Sequence, residues 1–247
     1  MSNDPDILPD GLKRPEDGLL RREYFTPERV KFYAELFAKH GNMPILSEEE
    51  REASFKVVHS GIAPGEDVWV FGYGSLMWNP AINVADSRTA RIEGFHRRFC
   101  LTISIGRGMP DKPGLMLALD EGGDCVGVAH RIAAAEVESE LTILWQREMI
   151  SGAYNPSWLD AEIDGVGKTR ALTFIINHQH ARYEGKISEE ETAARIAAAE
   201  GVFGTNRDYL YRTVQHLNSL GIADGPMHAL ERRVRVLANE PEKENQP

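Results

Sequence analysis

The sequence predicts an α+β fold, in which a small, strongly curved sheet or β-barrel is flanked by helices. Three observations support this class: strand-like segments follow one another through the middle of the chain, one helix is inserted among them, and the last third is helical. Residues 1–66 form a predicted N-terminal helical extension with a disordered start. Residues 67–238 form the predicted main domain, and residues 239–247 form a polar tail.

The predicted extension contains two helices with clear start signals. Thr26 and Pro27 combine a capping hydroxyl with proline at the first helical position, and this helix is expected to end near Gly41. Ser47 and Glu50 have the spacing of a capping box, so a second helix is expected to begin there.

The predicted sheet is built from apolar segments that are rich in β-branched and aromatic residues. These segments are Val68–Tyr73, Ala90–Ile105, Leu115–Leu119, Val126–Ile132 and Arg170–Ile176. We expect the second segment to bend near Gly94, and Gly122 with Gly123 to form a hairpin turn between the third and the fourth. Residues 133–150 are expected to form the inserted helix.

After the last strand the chain is predicted to become helical. Ser188 and Thr205 are expected to cap two helices that end near Gly201 and Gly221. A last helix is expected over residues 227–237.

Composition narrows the class of partner. The 247-residue chain has a formal net charge of −10, which argues against nucleic acid and anionic membranes, because both attract clustered Lys and Arg. No apolar run approaches the roughly 20 residues that span a bilayer, and the first residues are acidic rather than signal-like. The two cysteines and the scattered histidines lack the spacing of a disulfide framework or a metal site. We therefore expect a cytoplasmic protein that binds a small molecule and needs no metal or other cofactor.

A glycine-rich segment follows the first strand. Glycines on both sides of a tyrosine free the backbone there, so that N–H groups can approach an anion or a carbonyl oxygen closely. The alternative is a bulge or turn that binds no ligand. The candidate substrate-binding residues of this segment are Phe71, Gly72, Tyr73, Gly74, Ser75 and Leu76.

The inserted helix carries a charged residue in its apolar stripe. The stripe contains Val137, Leu141, Leu144 and Trp145, and Glu148 occupies its next position. A buried carboxylate without partners is costly, and a raised pKa suited to proton transfer is a common reason for keeping one. Glu148 is therefore the candidate catalytic residue. The alternative is that it lies where the stripe has already left the core, or that it pairs with a nearby arginine.

Three further glutamates occur in the first part of the same helix. Glu136, Glu138 and Glu140 lie off the stripe or at the helix start. We expect them on a solvated face, where their charge complements the helix dipole.

Several motifs occur in a fixed order between about Val68 and Val236. They are FGYGSLMWNP, GFHRRFC, GRGMPDKPGLMLALDEGG, GVAHRI, LWQREMISGAY and GTNRDYLYRTVQHLNSLGI. Together they resemble the ChaC-type γ-glutamylcyclotransferases. The resemblance implies a small β-barrel with flanking helices, and a lyase that converts glutathione into 5-oxoproline and cysteinylglycine. It also implies that the segment 71–76 is the substrate loop and that Glu148, between Arg147 and Met149, is the catalytic glutamate.

The implied reaction assigns roles to further groups. Glu148 would take a proton from the α-amino group of the substrate, and backbone amides from Gly72 to Leu76 would stabilise the developing negative charge. Arg107 lies between two glycines and is the preferred cation for a substrate carboxylate; the alternative is an exposed loop arginine. Two other functions stay open: a sensor that binds a γ-glutamyl ligand without catalysis, and a cyclotransferase for other γ-glutamyl amines.

Overall fold

The structure is a computed structural model that describes residues 19–40, 44–201 and 203–241. The predictions for residues 1–17, for the helix end at Gly41 and for most of the polar tail lie outside these ranges.

Five strands form a closed barrel, which confirms the predicted fold class. They are β1 (Val68–Gly72), β2 (Asp86–Ile103), β3 (Gly114–Ile132), β4 (Tyr154–Ile163) and β5 (Gly167–Ile176). Their order around the barrel is β1-β3-β2-β4-β5, and parallel pairing of Val70 with Leu172 closes β5 onto β1. Closure leaves a small barrel whose rims are available for a site.

The prediction of a hairpin turn at Gly122 and Gly123 is wrong, because both glycines lie inside the long strand β3. Strand β3 pairs antiparallel with β2 on both sides of them. Gly122 and Gly123 have positive φ angles of 97° and 71°. They lie opposite an irregularity in β2 between Glu93 and Phe95, where Gly94 has a φ of 83°. The glycines therefore bend a continuous two-stranded ribbon. The predicted bend at Gly94 is confirmed.

Strand β4 has no counterpart among the predicted segments. It forms an antiparallel hairpin with β5, in register from Tyr154 opposite Ile176 to Ile163 opposite Gly167. Most of its side chains are partly exposed, so its sequence lacks the apolar run that identifies a buried strand.

Seven helices surround the barrel in the described residues: α1 (Pro27–His40), α2 (Glu48–His59), α3 (Ser75–Trp78), α4 (Val137–Glu148), α5 (Glu189–Ala198), α6 (Asn206–Ser219) and α7 (Gly225–Leu237). A 3-10 turn at Arg22–Tyr24 precedes α1. The capping box of Ser47 and Glu50 is present with both of its hydrogen bonds, and Ser188 and Thr205 cap α5 and α6 as predicted. Within the part of the chain described here, no helix is both long enough and apolar enough to cross a membrane.

Apolar packing fixes α4 and α6 on the barrel. Leu141 and Leu144 of α4 are fully buried in a cluster with Leu172 of β5. Tyr209 of α6 packs edge-on against Phe99 of β2, with ring centroids 5.8 Å apart. The end of α4 and the start of α6 therefore converge on the loop that follows β1.

The N-terminal helices pack against α4. The indole nitrogen of Trp145 donates to the Ser54 hydroxyl at 2.8 Å, and the rings of Trp145 and Phe55 meet at 5.4 Å. The backbone N–H of Leu46 donates to the carbonyl oxygen of Ile150, just beyond the helix end. The segment before the barrel is thus attached to the helix that carries Glu148.

Candidate active site

A cavity of about 220 Å³ opens at the barrel rim where these elements meet. Its polar lining includes Ser75, Arg107, Glu148, Tyr154, Arg182 and Tyr209. The N-terminal segment supplies an apolar wall from Leu20, Tyr24, Phe25 and Tyr33. The cavity therefore combines apolar walls with a few polar groups that converge on one space, as ligand sites commonly do.

Glu148 is the last residue of α4, and its carboxyl group faces this cavity. Its side chain is only 16% exposed. Burial raises the pKa of Glu148 above its usual 4.5, and the nearby charge of Arg147 lowers it by less. The carboxylate is thus a stronger base than an exposed glutamate.

Arg147 pairs with Glu148 and also ties it to the loop after β1. Its Nε lies 2.9 Å from Oε1 of Glu148, and its Nη2 donates to the Ser75 hydroxyl at 2.8 Å. It also donates to the carbonyl oxygens of Asn79 and Pro80. The pairing that the sequence analysis offered as an alternative is present, and it coexists with the raised pKa.

The charge of Glu148 affects three tyrosines. Burial, with the charge of Glu148 as a further cause, raises the pKa of Tyr73 and Tyr154 well above 10 and that of Tyr209 to about 12. All three phenols therefore keep their protons. Tyr73 donates to the carbonyl oxygen of Phe174 at 2.7 Å, and Tyr154 donates to that of Leu117 at 3.0 Å.

The glycines after β1 allow a close approach of the backbone. A Cβ on Gly72 would lie 3.0 Å from the backbone of Leu76, and one on Gly74 would lie 2.7 Å from the Tyr209 hydroxyl oxygen. The backbone N–H of Ser75 donates to that same phenol oxygen. The amide of Ser75 thus positions Tyr209 beside Glu148.

The predicted substrate loop divides between cavity and core. Ser75 lines the cavity. Phe71 is fully buried inside the barrel, and Leu76 is buried in the cluster that holds α4. Tyr73 is buried in the barrel core, and Gly72 and Gly74 shape the turn.

Arg107 is buried rather than exposed, with 8% of its surface accessible. Its Nη1 donates to the carbonyl oxygen of Thr205 at 3.1 Å, and its side chain lines the cavity. Its charge lowers the pKa of Tyr209, after larger effects from burial and Glu148. The structure thus brings Arg107, Ser75 and Glu148 to one cavity.

The prediction of a solvated position is wrong for Glu140, which is 1% exposed. It accepts hydrogen bonds from the guanidinium of Arg22 and, at 2.7 Å, from the backbone N–H of Asn83. Burial raises the pKa of Glu140, but these hydrogen bonds outweigh burial and leave the pKa below 4.5. Glu138, two residues earlier, is exposed as predicted.

Three contributors to the cavity were not among the residues predicted from the sequence: Tyr209, Arg182 and the N-terminal wall. Tyr209 belongs to the C-terminal motif, so a signal for it was present. No sequence motif pointed to the N-terminal wall or to Arg182, because only the fold brings them to the cavity. Phe25 of the wall lies against Arg147, with its ring centroid 5.7 Å from the guanidinium carbon.

Comparisons with known proteins show which family and which relatives the chain resembles. A protein-family model described as ChaC-like protein matches residues 68–237. The chain is 43% identical over 196 residues to the glutathione-specific gamma-glutamylcyclotransferase of Escherichia coli (strain K12), covering 79% of this chain and 85% of that protein. It is 32% identical over 161 residues to the Homo sapiens glutathione-specific gamma-glutamylcyclotransferase 1, covering 62% of this chain and 71% of that protein.

A solved structure shares the fold. The crystal structure of a gamma-glutamyl cyclotransferase specific to glutathione from yeast superposes with a TM-score of 0.64 and 21% sequence identity. The match covers 72% of this chain and 99% of the yeast chain.

Proposed function

Because the chain belongs to the ChaC-like protein family, we propose that it degrades glutathione by cyclising the γ-glutamyl group. The products are 5-oxoproline and cysteinylglycine. The relatives' names support this substrate, and the buried carboxylate at the cavity supports this chemistry.

The reaction is an internal displacement within the substrate. The α-amino nitrogen attacks the γ-carbonyl carbon, a new C–N bond closes a five-membered lactam, and the γ-amide C–N bond breaks. The attacking nitrogen must lose a proton, and the leaving cysteinyl nitrogen must gain one. The site therefore needs one group that can carry a proton between two nitrogens.

Glu148 is that group in our proposal. Its raised pKa makes the carboxylate basic enough to accept a proton from the substrate ammonium, and the resulting acid can return the proton to the leaving nitrogen. General acid–base help of this kind contributes roughly 10²–10⁴ in rate. The position of this buried carboxylate on the cavity is the single observation that carries the proposal.

Two hydroxyl groups stabilise the negative charge that develops on the γ-carbonyl oxygen. Ser75 accepts a hydrogen bond from Arg147, and Tyr209 accepts one from the Ser75 amide, so each hydroxyl keeps its own proton to donate. One well-placed donor of this type contributes about 2.7–4 kcal/mol to the transition state. In this proposal the two hydroxyls share this task with the backbone amides from Gly72 to Leu76.

Arg107 binds the α-carboxylate of the glutamyl group in this scheme. It reaches the cavity from the start of α6, where its Nη1 donates to the carbonyl oxygen of Thr205. A cation there orients the amine and the γ-carbonyl toward each other, and such positioning lowers the barrier further.

The cytoplasm is the proposed location. Cys100 and Cys125 are buried free thiols, and thiols are kept reduced in the cytosol by the glutathione pool on which this enzyme would act.

The test is release of 5-oxoproline from glutathione by the purified protein, with Glu148→Gln and the exposed Glu138→Gln as a matched pair. We expect wild type and Glu138→Gln to be active and Glu148→Gln to be nearly inactive while melting as a folded protein. A protein that glutathione stabilises in a thermal melt without product formation would instead be a sensor. Full turnover by Glu148→Gln would show that Glu148 is not the base.

A further inference from the structure

Arg182 lines the cavity from the loop between β5 and α5 and has no carboxylate partner among the described residues. Its Nη1 donates to the carbonyl oxygen of Thr102 at 3.3 Å, and its Nη2 donates to the hydroxyl of Ser151. Its Nε–H is buried and meets no acceptor in the described part of the chain. With five N–H donors on a guanidinium, three stay without an acceptor there.

This arrangement is costly, because the partly buried guanidinium loses hydration and, without an opposite charge, recovers little of that loss. Burial accordingly lowers the pKa of Arg182, with only the phenol of Tyr154 acting in the other direction. The other arginines at the cavity contact protein groups differently: Arg147 pairs with Glu148, and Arg107 donates to Thr205. Arg182 is thus a cation placed where an anionic ligand would neutralise it.

The loop that carries Arg182 is held firmly against the barrel. Asp120 of β3 accepts hydrogen bonds from His178 at 2.7 Å and from the Tyr183 hydroxyl at 3.0 Å. The backbone N–H of Thr102 donates to the carbonyl oxygen of Arg182 at 2.9 Å. The guanidinium is therefore positioned before any ligand arrives, which reduces the entropy lost on binding.

The position of Arg182 relative to Glu148 indicates which anion it meets. Arg182 is anchored at the end of β2 through Thr102, whereas Arg147 ties Glu148 to Ser75 in the loop after β1. The two charges therefore enter the cavity from different parts of its rim. An extended α-linked tripeptide spans about 10 Å, and the γ-linkage of glutathione adds two chain atoms, so its far end reaches well past the group that holds its amine.

We propose that Arg182 binds the terminal glycine carboxylate of glutathione and so selects this tripeptide over γ-glutamyl compounds that lack a charge there. The inference rests on the proposed function and adds the residue that binds the cysteinylglycine part of the substrate. Its guanidinium makes a charge-assisted hydrogen bond with the carboxylate, and an uncharged amide at the same place leaves the cation without compensation.

The experiment compares glutathione with its C-terminal amide, which differs only in that charge. We expect wild type to favour glutathione by roughly 10- to 150-fold in kcat/KM, from the usual strength of a hydrogen bond to a charged group. Arg182→Gln should bring this ratio close to one by slowing glutathione alone, and Arg182→Lys should keep part of it. Arg170→Gln, on the outer barrel surface beside Glu66, should keep the full ratio.

The outcomes separate this inference from the proposed function. No 5-oxoproline from either compound with wild type would contradict the function itself. An active wild type that uses both compounds equally would overturn the role of Arg182 and leave the function standing, and this comparison needs no variant to fold. Equal slowing of both compounds in Arg182→Gln would likewise overturn it, because the arginine would then act on the shared glutamyl end.

Discussion

Glu140 and Glu148 lie at opposite ends of α4, are both largely removed from solvent and both contact an arginine, yet their pKa values move in opposite directions. Glu140 accepts hydrogen bonds from Arg22, from the backbone of Asn83 and from Ser139. Glu148 receives help from Arg147 alone among the described residues. Burial acts to raise the pKa of both glutamates. The several hydrogen-bond donors at Glu140 outweigh burial, whereas the single arginine at Glu148 does not.

The helix itself adds to the contrast. Glu140 lies in the first turn, where the N-terminal end of the helix dipole favours a negative charge, and Glu148 is the last residue, where the dipole disfavours it. The same residue type on one helix therefore has a lowered pKa at one end and a raised pKa at the other. An arginine neighbour by itself does not show in which direction the pKa of a buried glutamate moves.

The largest expected effect is the loss of turnover in Glu148→Gln. Without a carboxylate the substrate ammonium keeps its proton, so we expect kcat to fall by roughly 10²–10⁴. The assay is 5-oxoproline release at saturating glutathione. Glu140→Gln is the matched control and should keep kcat within a few-fold of wild type. Equal losses of kcat in both variants would contradict a special role of Glu148.

The pH dependence of wild-type kcat/KM comes next. A base with a raised pKa is protonated at a higher pH than an ordinary glutamate, so the acid limb should lie above pH 4.5. Below that pKa the rate should fall about tenfold per pH unit. Initial rates between pH 4 and 8 measure it, and a limb at or below 4.5 would contradict the raised pKa.

Glu140→Gln should instead lower the free energy of unfolding, by about 1–3 kcal/mol, because buried donors lose a charged acceptor. The folded pKa of Glu140 is lowered, so its stabilisation is full above pH 4.5 and is lost as pH falls through the folded value. The difference in the free energy of unfolding between the variant and wild type should therefore shrink in acid. Urea unfolding at pH 7 and at pH 3 checks both parts.

Glu148 has the opposite linkage. Its folded pKa is raised, so the folded state holds the proton more tightly and unfolding becomes easier as pH rises from 4.5 through the folded value. Glu148→Gln should be as stable as wild type or more stable at pH 7. A marked loss of stability in this variant would show that the carboxylate mainly supports the fold.

The smallest expected effect belongs to Arg22→Ala. The Arg22 side chain is 41% exposed, so solvent screens its pairing with Glu140, and we expect a loss of about 0.5–1 kcal/mol. A double-mutant cycle with Glu140→Gln measures the coupling between them. Zero coupling would assign the lowered pKa of Glu140 to the backbone of Asn83.

Local patterns were enough to predict several parts of this structure. The helix caps, the bend at Gly94 and the apolar stripe ending at Glu148 all depend on residues close together in sequence, and the structure contains each of them. The hairpin turn at Gly122 and Gly123 was wrong because two glycines with positive φ also suit a bulge, and only the partner strand distinguishes the two.

Long-range contacts account for what was missed. Glu140 has its arginine 118 positions earlier in the chain, so no helical pattern could show that it is buried. Arg182 reaches the cavity because Asp120, on another strand, holds its loop. Strand β4 has a half-exposed sequence that pairing with β5 makes regular.

The wall formed by Leu20, Tyr24, Phe25 and Tyr33 has a consequence for how the site can diverge. These residues lie before residue 68, where the match to the family model begins. The room offered to the substrate is thus partly set by a stretch of chain that holds none of the proposed reacting groups. Substitutions in that stretch can therefore change which compounds fit the cavity without changing the residues proposed to transfer the proton.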